Sequence, residues 1–264
     1  MKKKLPFLFF IILCLIPIDS SFTFTFNNNL EARFNDSNIS VYIASHTCDE
    51  INLTPTELVN LTKKAVSLFW NTVNTSSLHL DVKGLLDVND AFKSEGVCTE
   101  LGNDGSCTFN QNMLPDGGII ISCNNSAEGN GFTSSILAVS VPNNTNGNEI
   151  LGSVVLLNDT ADTKFNELNE EEQMAVLAHE IGHAFGLGHS TVNDSLMYFA
   201  TVKKRISLGQ DDRDAISYLY PPNSNIANCA TVSTNNSNQS ITQFFMGAIA
   251  MFFIFQLTRM RKFF

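Results

Sequence analysis

Apolar residues recur along the chain at two spacings, one typical of strands and one typical of helices. Between Ser40 and Pro222, short apolar runs bounded by turn-forming residues predict strands. Five such runs occur: Ser40–Ala44, Leu78–Val82, Gly118–Ser122, Ile136–Val141 and Ile150–Leu157. The pattern therefore predicts a sheet for this part of the chain.

A capping sequence marks the start of the first predicted helix. Thr54 and Glu57 form a capping box, with Pro55 at the first helical position. Apolar residues then follow at helical spacing to about Trp70, namely Leu58, Leu61, Ala65 and Leu68. The sequence thus predicts a capped amphipathic helix between the first two strands.

Two more helices are predicted after the last strand. Asn169 and Glu172 form a second capping pair, and the helix that they start runs into a histidine-rich stretch. A third helix is predicted near Asp211–Leu219. Pro221 and Pro222 follow it and are expected to close the domain.

The first 20 residues have the organisation of a secretory signal peptide. Lys2–Lys4 precede the apolar run Leu5–Ile18, which contains two prolines. An uncleaved membrane anchor is the alternative, and the short, proline-containing run disfavours it. We expect residues 1–20 to be removed and residues 21–39 to form a short lead before the domain.

A second apolar segment lies near the end of the sequence. Ile241–Leu257 carries no charged residue and is followed by Arg259, Arg261 and Lys262. Its length falls within the range of a membrane span, and its basic end is expected to stay in the cytoplasm. A sorting tail like those of some bacterial secreted proteins is the alternative. The predicted organisation is an Asn/Ser/Thr-rich linker at 223–240, a transmembrane segment at 241–258 and a basic tail at 259–264.

The charge of the segment between these two ends limits its partners. Without residues 1–20 and 241–264, the chain keeps 10 basic and 25 acidic residues, a net charge of −15. Such a surface repels the phosphates of nucleic acids and anionic lipids. We therefore expect no nucleic-acid partner, and membrane contact only through the C-terminal segment.

The use of cysteine fits export from the cytoplasm. Cys14 lies in the predicted signal peptide and Cys229 in the predicted linker, where its role is open. The other four cysteines allow three pairings. We favour the Cys98–Cys107 pair, since its members flank a glycine-rich turn. The remaining pair is then Cys48–Cys123.

The chemistry of the chain is concentrated in the sequence HEIGHAFGLGHS, which starts at His179. His179 and His183 are four residues apart, so on a helix both project from one face and can hold one Zn²⁺. His189 can supply a third ligand only if the helix ends before it. Gly186 permits that, because glycine accepts the left-handed backbone that ends helices.

Glu180 follows the first of these histidines and has a different predicted role. It would lie beside the water that zinc activates and act as a general base, not as a ligand. A bare His-Glu-x-x-His sequence also arises by chance in buried helices. The glycine, the third histidine and Met197 at their spacing favour a catalytic zinc site. His46 and His79 fall in strand-like segments and are predicted to be structural or solvated.

The spacing H-E-x-x-H-x-x-G-x-x-H, followed by a methionine turn, resembles the metzincin metalloendopeptidases. The turn here is Ser195–Tyr198, with Met197 at its centre. Ser190 after the third histidine, this turn and the stretch Ser207–Pro221 resemble the matrixin branch of that clan. The resemblance is strong from Glu172 to Tyr220.

The resemblance implies an α+β fold of the metzincin (zincin-like) type for residues 40–222. That fold has a twisted, mostly parallel five-stranded sheet with an antiparallel edge strand, an active-site helix and a C-terminal helix. It also implies that a substrate peptide lies antiparallel to the edge strand, here Ile136–Val141. The segment after Met197 would wall the pocket for the residue after the scissile bond. Phe199 stands in that segment where matrixins usually have proline.

The resemblance also bears on the metals. Matrixins carry a second, structural zinc, whose extra histidines lie before the active-site helix, but this chain has no histidine from Gly118 to Ala178. One catalytic zinc per chain is therefore expected. Asp159 and Asp162 lie in a loop suited to calcium and are candidate ligands for it.

The function that these observations predict is zinc-dependent hydrolysis of peptide bonds in proteins or peptides. The enzyme would be carried across the membrane and held at the cell envelope or cell surface by a single C-terminal span. A catalytically silent metzincin-fold module for binding or adhesion is the alternative. Loss of Glu180 or of a histidine ligand would favour it, and none is lost. The sequence leaves open the physiological substrate and the removal of the anchor.

Overall fold

The structure is a computed structural model that describes residues 24–26, 31–101, 106–200 and 205–222. The chain divides after Pro222 into two units, and the second unit lies outside the described residues. The predicted signal peptide, linker, transmembrane segment, basic tail and Cys229 also lie outside them. Within the described ranges, no helix combines the length and apolar character needed to cross a bilayer.

Five strands form one twisted sheet, as predicted. In chain order they are β1 (Asn38–Ala44), β2 (His79–Leu86), β5 (Gly118–Asn124), β6 (Ala138–Asn146) and β7 (Glu149–Asn158). Their order across the sheet is β2-β1-β5-β7-β6. All neighbouring pairs are parallel except β6 with β7, so β6 is an antiparallel edge strand. The prediction of a mostly parallel sheet with one antiparallel edge is confirmed.

Three of the four helices in the described ranges were predicted. They are α1 (Pro55–Leu68), α3 (Glu170–Ala184) and α4 (Gln210–Leu219), and the fourth is the short α2 (Ala91–Ser94). The capping boxes at Thr54 and Asn169 are both formed, with each cap oxygen accepting the N–H of the glutamate three residues later. Helices α1 and α3 pack on each other and on the sheet, and the main apolar core lies between them.

Two strand boundaries differ from the prediction. The predicted strand at Leu78–Val82 continues to Leu86, because a bulge at Lys83 and a positive φ of 107° at Gly84 let β2 keep pairing with β1. The predicted strand at Ile136–Val141 begins at Ala138 and continues to Asn146, with irregular pairing after Val141. Ile136 and Leu137 thus precede the edge strand and lie in a loop.

A small hairpin that no sequence pattern predicted lies on the other face of the sheet. Strands β3 (Cys98–Leu101) and β4 (Cys107–Phe109) pair antiparallel and, with α2, cover a second apolar cluster that includes Ile120 and Met113. A Cys98–Cys107 disulfide joins the two strands. The second disulfide, Cys48–Cys123, ties the loop after β1 to β5. Both predicted pairings are confirmed.

The two disulfides should contribute unequally to stability. Cys48–Cys123 joins residues 75 apart in sequence, whereas Cys98–Cys107 joins residues 9 apart. Loop-closure entropy gives about 4 kcal/mol for the longer loop and about 3 kcal/mol for the shorter one. Replacing both cysteines of a pair with serine should lower the urea midpoint more for the first pair. Equal losses, measured in the same buffer at the same pH, would contradict this account.

Candidate metal centre and active site

Helix α3 ends in a Schellman motif directly after the second histidine of the metal-binding sequence. The Gly186 N–H donates to the carbonyl of His183, and the Leu187 N–H donates to the carbonyl of Gly182. Gly186 has a φ of 122°, and a Cβ there would lie 2.2 Å from the carbonyl oxygen of Ala32. The helix therefore stops where the sequence predicted, and only glycine fits the turn.

Tyr220, just after α4, holds this helix end in place. Its hydroxyl donates to the carbonyl of Phe185 at 2.8 Å and accepts the N–H of Phe34 at 3.1 Å. Burial raises the pKa of Tyr220 well above its ordinary value, so the hydroxyl keeps its proton. The last turn of α3 is thus attached to both the lead of the domain and its C-terminal end.

The helix end brings the three predicted histidines together. One ring nitrogen from each of His179, His183 and His189 lies within 4.8 Å of the others. The Nδ1 of His179 lies 2.7 Å from the carbonyl oxygen of Leu196, and that of His183 lies 2.7 Å from the carbonyl oxygen of Leu187. Because a carbonyl only accepts, both rings carry a proton on Nδ1 and expose an Nε2 lone pair.

These lone pairs make the cluster fit a cation. The Nε2 atoms of His179 and His183 face each other at 3.2 Å. With both Nδ1 atoms protonated, neither neutral ring has a proton on Nε2, so the two Nε2 lone pairs repel each other. A cation bound between them removes this repulsion. Three neutral imidazoles are a zinc ligand set that leaves the fourth position open.

Burial keeps the histidines neutral. Desolvation, its effect partly offset by the hydrogen bond to Leu196, lowers the pKa of His179 to about 4. Desolvation also lowers the pKa of His183 to about 3. His189 is exposed at the cleft, and partial burial lowers its pKa as well. Metal binding near neutral pH therefore need not displace protons from these rings.

The methionine turn is held by a buried carboxylate that the sequence analysis did not single out. Asp212 of α4 accepts the hydroxyl of Ser195 at 2.5 Å and the N–H of Leu196 at 2.6 Å. It also accepts the N–H groups of Met197 and Gly209, at 3.1 and 2.8 Å. Since the carbonyl of Leu196 binds His179, Asp212 supports the first histidine through the turn.

Met197 packs against the active-site helix at Gly182. A Cβ added at Gly182 would lie 2.5 Å from the Met197 sulfur and 2.9 Å from the ring of Trp70. The Trp70 indole N–H donates to the carbonyl of Ala178 at 2.8 Å. The helix, the tryptophan and the methionine therefore pack with no room for a side chain at Gly182.

Glu180 reaches the cleft beside the cluster. It lines the same cavity as His179 and His189. Desolvation raises the pKa of Glu180 to about 8, whereas a dication at the histidines favours the ionised form. These opposed effects suit a carboxyl group that takes up and releases a proton, the role predicted for it.

The cleft has a volume of about 560 Å³ and runs between the start of the edge strand and the segment after the methionine turn. Ile136 and Ala138 lie on the strand side, and Tyr198 and Phe199 lie on the other side. Phe199 is 62% exposed, which is unusual for a phenylalanine in a folded domain. Both sides of the cleft therefore present apolar side chains next to the histidines.

A short piece of the predicted lead also supports the third histidine. The Thr25 hydroxyl donates to the carbonyl of His189 at 2.6 Å, and the Gly188 N–H donates to the carbonyl of Thr25 at 2.8 Å. Phe24 and Phe26 stack against Tyr218 of α4. No periodic or motif signal in the sequence predicted this contact.

The remaining candidates lie away from the histidine cluster. His46 follows β1 and lies 2.8 Å from the Ser122 hydroxyl, and exposed His79 starts β2. Asp159 is buried, and its carboxylate accepts three backbone N–H groups from residues 49–51. Asp162 is exposed. Among the described residues, the three histidines are the one group of this kind that could hold a metal, so the calcium site stays a prediction.

The sheet with its antiparallel edge, the helix that ends after two histidines, the returning third histidine and the methionine turn together define a metzincin-type domain. The matrixin family model matches residues 62–221. The chain therefore belongs to the matrixin family, whose members are zinc metalloendopeptidases.

Individual relatives match over shorter stretches. The chain is 40% identical over 76 residues to metalloendoproteinase 2-MMP of Arabidopsis thaliana, covering 28% of this chain and 20% of the relative. It is 43% identical over 82 residues to matrix metalloproteinase-18 of Xenopus laevis, covering 30% and 17%. It is also 33% identical over 84 residues to interstitial collagenase B of Mus musculus, covering 31% and 18%. The chain thus spans about a fifth of the length of these relatives.

The lowered histidine pKa values predict a pH-dependent stability for the zinc-free protein. The unfolded chain protonates these rings near pH 6.5, whereas the folded chain does so only near pH 4 or below. Glu180, whose pKa burial raises to about 8, lets the folded state bind one proton more and so offsets one of the two rings. The unfolded state still binds more protons below about pH 6.5, so the free energy of unfolding should fall as the pH drops from about 6.5 to about 4. Urea midpoints of the zinc-stripped protein measure this.

A variant separates the contribution of the histidines to the pH dependence of the urea midpoint from the contribution of the carboxyl groups. His183→Asn should make the dependence of the urea midpoint on pH less steep between pH 6.5 and 5, because it removes one of the two rings with a strongly lowered pKa. A parent whose midpoint stays constant over this window would contradict the assignment.

Proposed function

We propose that this chain is a zinc-dependent endopeptidase that acts outside the cytoplasm and hydrolyses peptide bonds of proteins or peptides. The observation that carries the proposal is the position of Glu180 in the same cleft as His179 and His189. A purely structural zinc site has four protein ligands and no cleft. Here three histidines converge, and beside them lies Glu180, whose pKa is raised to about 8 by burial.

The residues divide the work. His179 and His183 would hold the ion through Nε2, because the carbonyls of Leu196 and Leu187 orient their rings, and His189 would supply a third ring nitrogen. Zinc, when bound, supplies a Lewis acid that makes a water more acidic and polarises the scissile carbonyl. Glu180 accepts the proton of that water and then passes it to the leaving amine.

The edge strand supports the placement of a substrate. The side of β6 away from β7 is free in the sheet order, so an extended peptide can pair with it through backbone hydrogen bonds. Ile136 and Ala138 bring this edge to the cleft, opposite Tyr198 and Phe199. A peptide on β6 would therefore have its scissile bond near the histidines and a side chain between the two walls.

Location outside the cytoplasm is part of the proposal. Two disulfides close the described domain, as is typical of proteins that fold in oxidising compartments. The basic and apolar residues 1–20 and the uncharged run at Ile241–Leu257 support export followed by anchoring. We propose that the catalytic domain lies on the outer side of a single C-terminal membrane span, at the envelope or cell surface.

Substitution of Glu180 tests the mechanism. Glu180→Gln keeps the size of the side chain but removes the base, so zinc should stay bound while kcat falls by about 10²- to 10⁴-fold. His183→Ala should instead release the metal, since it removes one of three ligands. Zinc content, measured by mass spectrometry, and hydrolysis of a quenched fluorescent peptide give both readouts on the same samples.

The outcomes separate the two candidate functions. A Glu180→Gln protein with the parent rate would exclude the mechanism. A parent protein that binds one zinc per chain and cleaves no peptide in a diverse library would favour the silent binding module instead. His79→Asn, on β2, serves as the histidine control and should retain both zinc and activity.

The proposed location has its own test. Proteinase K added to intact cells should remove the domain, while a cytoplasmic protein in the same cells stays intact. A chain that ends at Ser240 lacks the proposed span and should appear in the medium. A domain that is digested only after the cells are opened would contradict the outward orientation.

A further inference from the structure

Arg205 contacts two segments next to the active site, the loop that contains Asn193 and the segment Tyr198–Ala200. Its Nε donates to the carbonyl of Asn193 at 2.7 Å, and its Nη1 donates to the carbonyl of Ala200 at 2.5 Å. The guanidinium carbon lies 4.3 Å from the ring centroid of Tyr198. Asn193 belongs to the loop between His189 and the methionine turn, whereas Tyr198 and Ala200 line the cleft.

Backbone pairing with Ser190 supports Tyr198, whereas the next two residues of the wall are exposed. Tyr198 is half-buried and stacks on Phe199, with ring centroids 4.4 Å apart and an angle of 36° between the rings. Phe199 and Ala200 are both exposed, so core packing does not hold their backbone. Arg205 thus lies at the back of a wall whose cleft side is apolar and whose outer face is open to solvent.

Only arginine can make all three contacts at once. The planar guanidinium donates in two directions within its plane and offers its face to an aromatic ring. Lysine carries the same charge but has neither the plane nor the fixed directions of donation. The methionine turn itself is anchored separately by Asp212, so Arg205 acts on the segment after the turn.

We propose that Arg205 is a positioning residue for substrate selection: by holding the segment Tyr198–Ala200 against the methionine-turn loop, it sets the width of the cleft next to the histidines. This inference rests on the proposed peptidase function for its kinetic readout. The wall then discriminates between substrate side chains by their size, because a fixed wall excludes what does not fit.

The experiment compares Arg205→Met and Arg205→Lys with the parent, using the full-length protein. Peptides that differ only in the residue after the scissile bond, from alanine through leucine and phenylalanine to tryptophan, give kcat/KM for each size. Both variants should reduce the ratio between the best and the worst peptide by about 3- to 10-fold, the range for losing a cation–π contact and a fixed pocket wall. Zinc content should not change.

A further variant controls for general damage. Arg213→Met removes an arginine of α4 and should leave the selectivity ratio at the parent value. If Arg205→Met fails to fold, Arg205→Lys, which keeps the positive charge, carries the test.

A binding measurement separates this inference from the peptidase proposal. Hydroxamic acids with methyl, isobutyl, benzyl and naphthylmethyl side chains bind zinc without being cleaved, and calorimetry gives their affinities for each variant. A narrower spread of affinities in Arg205→Met supports the inference even if the parent cleaves no peptide. A uniform loss over all peptides and all hydroxamates, with the ratios within twofold of the parent, would overturn it and leave Arg205 a structural residue.

Discussion

The site depends on one constraint, the end of helix α3 directly after His183. If the helix continued by one more turn, His189 would move along the axis and the ion would have two ligands in place of three. Gly186 makes the stop sterically feasible, and Tyr220 binds the carbonyl that the stop leaves free at Phe185. Thr25 then holds the carbonyl of His189 from the other side. The geometry of the third ligand is thus fixed by contacts from both ends of the described domain.

Helix α4 belongs to the active site although none of its side chains lines the cleft. The carboxylate of Asp212 is buried, which costs free energy unless hydrogen-bond donors surround it. The methionine turn supplies three of its four hydrogen bonds. Loss of α4 would leave those donors unpaired in the protein interior. The same turn holds His179 through the carbonyl of Leu196. Stability and ligand orientation are therefore coupled through one carboxylate.

The sequence was sufficient to predict features that depend only on residues close together in the chain. The capping boxes at Thr54 and Asn169, the stop at Gly186 and the spacing of the histidines all depend on neighbours within one or two helical turns. The hairpin β3–β4 was missed because its strands are short and a disulfide, not periodic burial, holds them. The partners of Asp212 and Tyr220 leave no pattern along the chain, since no sequence spacing indicates which distant backbone group a side chain will meet.

The region before helix α3 shows how the family fold is held here without a second set of histidines. The Asn130 Oδ1 accepts the N–H of Val97 at 2.7 Å, and its Nδ2 donates to Asn124 Oδ1 at 2.9 Å. The Asn124 Nδ2 donates in turn to the carbonyls of Phe92 and Glu95, at 3.0 and 2.8 Å. These buried amides join the loop after β5 to α2 and the hairpin, and they require no ion. In the described residues, buried amides and the two disulfides thus cross-link the segments around β5.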